Sequence, residues 1–213
     1  MNAWLAQNQE DRIISEWLAK HHPGLVGRVL DIGAHDGWSL SNTARLLERG
    51  WGGTLVEASP RPLAKLIDRW GDRDDIDIVG ACVVTRENYR HLVPWFDDAG
   101  AACHNGEAFL STTERANVEK WQGATKFRRA RLATTGVSEL LDDVEPFHVL
   151  SIDTEGNSVD VLAESLEYLT PARAPLVLVC EHDDRIPEIT KHCAKHDMRI
   201  VHTNAENVIA VRE

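Results

Sequence analysis

The sequence predicts an α/β protein in which a mostly parallel sheet is covered by helices and closed by a C-terminal antiparallel hairpin. Three observations carry this prediction. Short β-rich runs alternate with amphipathic helical stretches from one end of the chain to the other. A glycine-containing turn, residues 33–37, follows the first strand and opens the next element. The last two strands, 198–203 and 208–212, are separated by a polar turn too short for a helical crossover, so they must pair antiparallel.

The elements follow in order. Trp4, Leu5, Ile13, Ile14, Trp17 and Leu18 mark a leading helix that stops before His22, Pro23 and Gly24, so residues 1–27 form an N-terminal helical segment ahead of the main domain, 28–213. Arg28–Ile32 is the first strand. Residues 38–49 form a helix with Leu40, Ala44, Leu46 and Leu47 inward, ended by Gly50, and 53–57 is the second strand. Pro60–Trp70 is the next helix, and 75–84 is a third strand apolar enough to be buried on both faces. Between about 85 and 131 the rhythm breaks, with Trp95, Phe96, His104 and Phe109 set among hydroxyls and charges. An irregular insertion of this length usually serves function. A short strand at 133–136, a short helix at 137–142, a fourth strand at 147–152, a helix at 157–169, a fifth strand at 175–180 and a helix at 186–196 restore the alternation.

Composition narrows the class. With 43% hydrophobic and 27% charged residues, the 213-residue chain is an ordinary globular one, long enough for one core and neither disordered nor repetitive. Against 34 Asp and Glu it has 23 Lys and Arg, a formal charge of −11, which disfavours coating a nucleic acid while leaving room for a local basic patch. No apolar run approaches the ~20 residues of a membrane helix, and the first residues lack the basic start and hydrophobic stretch of a signal peptide, so no membrane partner and a cytoplasmic location are expected. Cys82, Cys103, Cys180 and Cys193 are dispersed without a C-x-x-C pair and read as reduced thiols.

The turn after the first strand reads Asp31-Ile32-Gly33-Ala34-His35-Asp36-Gly37. A ligand of a doubly wound sheet sits at the carboxyl ends of the strands, so this turn should line its pocket. The spacing is G-x-x-x-G, not the dinucleotide G-x-G-x-x-G, and the carboxylates of Asp31 and Asp36 suit a sulfonium cation better than a pyrophosphate. Glu57, at the end of the second strand, can accept both hydrogen bonds of a ribose diol. Together these favour S-adenosylmethionine over a nicotinamide nucleotide. His35, inside the turn, faces either the cofactor, the substrate or water.

The runs VLDIGAHDGWSLSNTARLL, VEASPRPLAKL, DIVGACVV and HVLSIDTEGNSVDVL, with the hairpin RIVHTNAENVIAVRE, resemble the FkbM-type methyltransferases over about residues 28–213. The I-D-x-E-G element, Ile152 to Gly156, is the most specific part; the weakest lies between 85 and 131. One departure is Ala58-Ser59-Pro60, where many members place proline directly after the glutamate. The resemblance implies a Rossmann-like class I methyltransferase sheet. It also implies a cofactor site of Asp31, Gly33, Ala34, Gly37 and Glu57, with Asp153 at the catalytic end of the fourth strand.

Methyl transfer from a sulfonium is an in-line displacement, and a hydroxyl acceptor also needs a proton acceptor or a metal. Asp153 and Glu155 follow the fourth strand, and Glu181 and His182 follow the fifth, so adjacent strands bring them together. Asp153, Glu155 or His182 is then the catalytic base, or Asp153, Glu155 and Glu181 bind Mg²⁺ or another divalent cation. The alternative is that Asp153 and Glu155 only cap the following helix. Glu181 also stands near the acceptor. Lys126 and Arg128, in the basic stretch 114–131, are candidates to hold an anionic group of that acceptor, unless the stretch is simply a solvated face.

The implied activity is methyl transfer to a hydroxyl of a sugar, nucleotide sugar or natural product. Competing readings are an RNA or protein methyltransferase using the basic stretch, with nucleic acid disfavoured by the overall acidity, and a non-catalytic S-adenosylmethionine-binding module.

Overall fold

A computed structural model of the chain describes residues 4–99 and 109–212. Cys103 and His104 lie outside the described residues. The main sheet has seven strands in the order β3-β2-β1-β7-β8-β10-β9: β1 (Arg28–Ile32), β2 (Gly52–Val56), β3 (Ile76–Val79), β7 (Val149–Ile152), β8 (Val177–Glu181), β9 (Arg199–Thr203) and β10 (Asn207–Val211). The pairs from β3 through β8 are parallel. β10 runs antiparallel to both β8 and β9, which closes the sheet as the short turn required.

Period-two alternation divides the core between two helix layers. Leu30, Leu150, Leu178 and Val208 point to one face, against α5 (Val137–Asp143), α6 (Ser158–Tyr168) and α7 (Ile186–Ala194). Val29, Val149, Val177 and Ile209 point to the other, against α1 (Glu10–His21), α2 (Ala44–Glu48) and α3 (Pro60–Trp70). Leu30, Leu150 and Leu178 are fully buried, each contributing roughly 2 kcal/mol of apolar transfer. The leading helix therefore docks on the sheet, with Ile14 and Leu18 beneath Leu47 and Trp51. Among the described residues no helix is long and apolar enough to cross a membrane, and Cys82, Cys180 and Cys193 are free, buried thiols.

Three expectations need correction. The helix expected over 38–49 is only Ala44–Glu48. Asp36 accepts the Trp38 and Ser39 amides, Ser41 Oγ accepts those of Thr43 and Ala44, and Leu40 is left-handed at φ 58°, so polar side chains replace the first helical turn. The single strand expected over 75–84 is two strands in different sheets. β3 is an edge strand with Asp77 exposed, and after Gly80 the chain turns into β4 (Cys82–Val84). The stretch 85–131 is not irregular throughout. It contains β5 (Leu92–Asp98), α4 (Arg115–Trp121) and the first half of β6 (Phe127–Gly136), and a second sheet forms in the order β4-β6-β5. Cys82, Val84, Val93 and Trp95 give it a small core of its own.

Candidate active site

The parallel register aligns the strand ends. Ile32 pairs with both Val56 and Ile152, and Ile152 pairs with Cys180. One residue further on, Glu57, Gly33, Asp153 and Glu181 therefore fall on one rung, and Glu181 pairs with Asn207 of β10. Backbone bonds extend this rung past the strands, from Gly33 N–H to the Val56 carbonyl at 2.9 Å and from Asp153 N–H to the Ile32 carbonyl at 2.8 Å. Gly33 has φ +90°, and a Cβ there would lie 1.6 Å from the Asp153 carbonyl oxygen. Only glycine lets the two loops touch.

Two adjoining cavities open along this edge. The first, about 100 Å³, has apolar walls including Val56, Ala58, Val83 and Trp95, with Glu57 among its polar residues. The second, about 350 Å³, is lined by Asp31, Glu181, His182, the hairpin turn and residues of the leading segment. Gly33, His35, Phe109, Asp153 and Glu155 line both.

Glu57 is buried, and its two oxygens accept the His35 and Ser59 amides at 2.8 and 2.5 Å. Each carboxylate oxygen retains a lone pair for a further donor. Burial raises its pKa, against those hydrogen bonds and the nearby His35. Asp31 is buried behind the second cavity, where it accepts the Thr43 hydroxyl at 2.5 Å, and burial raises its pKa as well. His35 is left-handed at φ 52° and stacks on Phe109 with ring centroids 4.3 Å apart. Ala34 lines the second cavity. Gly37 lines neither, because it packs on Leu66 and Trp70, whose indole donates to its carbonyl at 3.0 Å.

Asp153, Glu155 and Glu181 present carboxylate oxygens all within 4.8 Å of one another. Burial, and then the neighbouring negative charge of Glu155, pushes Asp153 up to about 8. Burial and the charge of Asp153 push Glu181 up to about 9, and burial with the charges of Glu181 and Asp183 holds Glu155 well above the usual carboxylate range. Crowded buried carboxylates hold protons because ionising all of them in a poorly solvated site is unfavourable. Glu155 is held at φ 53° while its carbonyl accepts the Thr112 hydroxyl and the Asn117 amide, both at 2.7 Å. Neither Asp153 nor Glu155 caps α6, whose N-cap is Asn157, so the capping alternative does not describe them. Ser158, in the first turn of α6, donates to Glu181 at 3.0 Å.

His182 lines the second cavity, but both ring nitrogens are engaged. Nδ1 accepts the Asp184 amide at 3.0 Å, which leaves Nε2 to donate to the Asn204 carbonyl at 3.3 Å. Lys126 and Arg128 are exposed at the start of β6 and line neither cavity. The basic stretch reaches the site instead through Lys120 of α4, which lines the second cavity. Sequence reasoning also missed Gln7 and Glu10 on that wall and Trp95 on the first, residues with no local signal that places them there.

A family model for the methyltransferase FkbM domain matches residues 31–206, more than half of the chain. The chain belongs to the FkbM methyltransferase family. As an FkbM methyltransferase it is a transferase dependent on S-adenosylmethionine, and its fold is Rossmann-like. No curated protein matches it by sequence. Among solved structures it is similar to a precorrin-6y C5,15-methyltransferase from Geobacter metallireducens (14% identity, 100% of this chain and 93% of that one, TM-score 0.51). It is also similar to a putative RNA methyltransferase from Pyrococcus horikoshii (9%, 99% and 85%, 0.50) and to monomeric WbdD (12%, 97%, 0.52), of which it spans only 41%. At such identities these likenesses concern fold alone.

Proposed function

We propose that this FkbM methyltransferase methylates a hydroxyl of a sugar, nucleotide sugar or natural product, with Asp153 as the catalytic base. The observation that carries the reading is the position of Asp153, which lines both cavities and shares a carboxyl cluster with Glu181 and Glu155. The residues fit the methyl donor. Glu57 has lone pairs for a ribose diol beside an apolar slot for a base, and the carboxylates around Gly33 favour a positive sulfur. When bound, S-adenosylmethionine would supply an electrophilic methyl carbon whose bond to sulfur breaks as an aligned oxygen bonds to it, leaving neutral S-adenosylhomocysteine.

The chain's own residues do the rest. The second cavity orients the acceptor, and the ionised carboxylate of the Asp153–Glu181 pair takes the hydroxyl proton as the oxygen attacks. His182 serves to fix the hairpin turn and the loop after β8, because its nitrogens are already used. Acidic side chains far outnumber the one lysine in the second cavity, which favours, within that range, a neutral sugar or natural product over a nucleotide sugar with its anionic pyrophosphate.

The test is Asp153→Asn, assayed against a panel of sugar and nucleotide-sugar hydroxyls with labelled donor. Turnover should fall about 100-fold or more, with S-adenosylhomocysteine affinity retained in calorimetry. Unchanged turnover would remove Asp153 from the mechanism.

A second reading is favoured by the spacing of the three carboxylates, which offer oxygen ligands to a hard divalent cation. In that case a chelator abolishes turnover and Mg²⁺ restores it. Full activity after chelation excludes it.

A further inference from the structure

Besides His35, whose ring nitrogens have no hydrogen-bond partner but whose ring stands beside Asp36 and Phe109, the first cavity is lined by two polar groups, on Asn157 and Trp95, that nothing among the described residues pairs. Asn157 is the N-cap of α6, a position where an asparagine oxygen ordinarily accepts a backbone amide of the first turn; here it makes no such bond. Its amide nitrogen instead donates to the Val83 carbonyl at 3.4 Å. Only the NH₂ end can satisfy a carbonyl, which fixes the orientation of the amide and leaves Oδ1 without a partner among the described residues. In the lining of the same cavity, Trp95 of β5 is 5% exposed and its indole N–H likewise has no partner among the described residues. Asn157 is 8% exposed, so water does not readily compensate either group. Buried polar groups are rarely left unpaired, and two orphans in one small cavity call for a ligand that pairs both.

Asn157 and Trp95 present one acceptor and one donor in a cavity whose lining includes the apolar Val56, Ala58 and Val83 as well as Glu57. A nucleobase edge with an exocyclic amine next to a bare ring nitrogen is complementary to them. A 6-oxo purine offers an oxygen where the amine would be, and that oxygen would face the Asn157 carbonyl without a proton between them.

We infer that Asn157 and Trp95 read the adenine base of the methyl donor, with Asn157 Oδ1 accepting from the 6-amino group and Trp95 Nε1 donating to a ring nitrogen flanking it. This rests on the nucleoside occupying the first cavity with its ribose on Glu57. It also gives the second sheet a task, since β5 exists only in that sheet and carries the donor.

The experiment is calorimetric binding of S-adenosylhomocysteine, S-inosylhomocysteine and the 1-deaza and 7-deaza forms of S-adenosylhomocysteine to the full chain. Asn157→Leu and Trp95→Phe are compared with wild type. The wild type should bind the 6-amino compound about tenfold or more tighter than the 6-oxo one, and should lose about fivefold for one of the two deaza compounds. Asn157→Leu should narrow the first ratio severalfold and leave the second. Trp95→Phe, which keeps the ring packing, should abolish the second; it should leave the first where the 7-deaza compound is the weak one, and narrow it where the 1-deaza compound is, because a 6-oxo purine carries a proton on N1. A loss of packing alone would weaken all four ligands together without moving the ratios. A wild-type protein indifferent to the 6-substituent overturns the inference without any variant, as do variants that keep both ratios. A wild-type protein that binds none of the four overturns the donor reading itself and this inference with it.

Discussion

Asp153 sits on the rung that joins the first cavity to the second, so its protonation should govern the rate. Burial and the charge of Glu155 hold its carboxyl at about 8 in the ligand-free protein. A base acts when ionised, so kcat/KM should rise with pH and level off above about 8, measured as a pH–rate profile. kcat, which reports the loaded enzyme, should titrate at lower pH, because a nearby sulfonium favours the carboxylate. A profile flat from pH 6 to 9 would contradict this. The glycine beside it makes a stability prediction. Gly33→Ala places a Cβ 1.6 Å from the Asp153 carbonyl at φ +90°, so thermal melts should show a loss of about 3 kcal/mol or more, or no soluble protein. That Asp153, Glu155 and Glu57 stand together at one edge of the sheet was legible in the sequence, because each lies one to three residues past a strand in a compact motif. The role of His182 was not, since residue type does not show that both nitrogens would be taken by neighbouring backbone.

At the scale of elements, the main sheet was readable because its strands alternate between two apolar layers. The second sheet was not. β5 reads Leu-Val-Pro-Trp-Phe, apolar without alternation and broken by Pro94, although its burial alternates from Leu92 to Trp95, and β6 exposes Arg128, Arg129, Ala130 and Arg131 in succession, so the residue types of neither show the period-two pattern of a half-buried strand. The ladder from Leu92 opposite Ala133 to Asp98 opposite Phe127 is a tertiary pairing that overrides this weak local signal. The same topology sorts the basic residues. Lys126→Gln with Arg128→Gln should change kcat/KM by no more than about twofold, because both are solvated away from the cavities. Lys120→Gln, on the wall of the second cavity, should raise the acceptor KM severalfold with kcat less affected. Steady-state kinetics of the two variants would separate a solvated strand from an acceptor contact, and a large effect of the double variant would relocate the acceptor to β6.

Across the whole molecule, the charge distribution opposes stability where the chemistry is placed and supports it where the ends meet. Glu10 of α1 accepts the side-chain amides of Asn204 and Asn207 at 2.7 and 2.9 Å, tying the leading helix to the C-terminal hairpin. Burial pushes its carboxyl up, but these hydrogen bonds and backbone amides outweigh burial and leave it lowered. Its stabilisation is therefore complete above the unfolded value of 4.5 and is lost as pH falls through the lower folded value. The site carboxyls act in the opposite sense. Asp153 and Glu181 stand at about 8 and about 9, so between pH 5 and 9 the folded state binds more protons than the unfolded chain and stability falls as pH rises. The ligand-free protein should therefore melt about 5 °C or more lower at pH 9 than at pH 5, a window above the range in which Glu10 titrates. Asp153→Asn should flatten the slope, because removing one carboxyl also relieves Glu181 of the charge that raises it. A cationic ligand relieves the same repulsion, so the gain in melting temperature from S-adenosylmethionine over neutral S-adenosylhomocysteine should widen with pH. Scanning fluorimetry of both proteins across that range tests the coupling, and equal gains at every pH would show that the carboxyl cluster does not face the sulfonium.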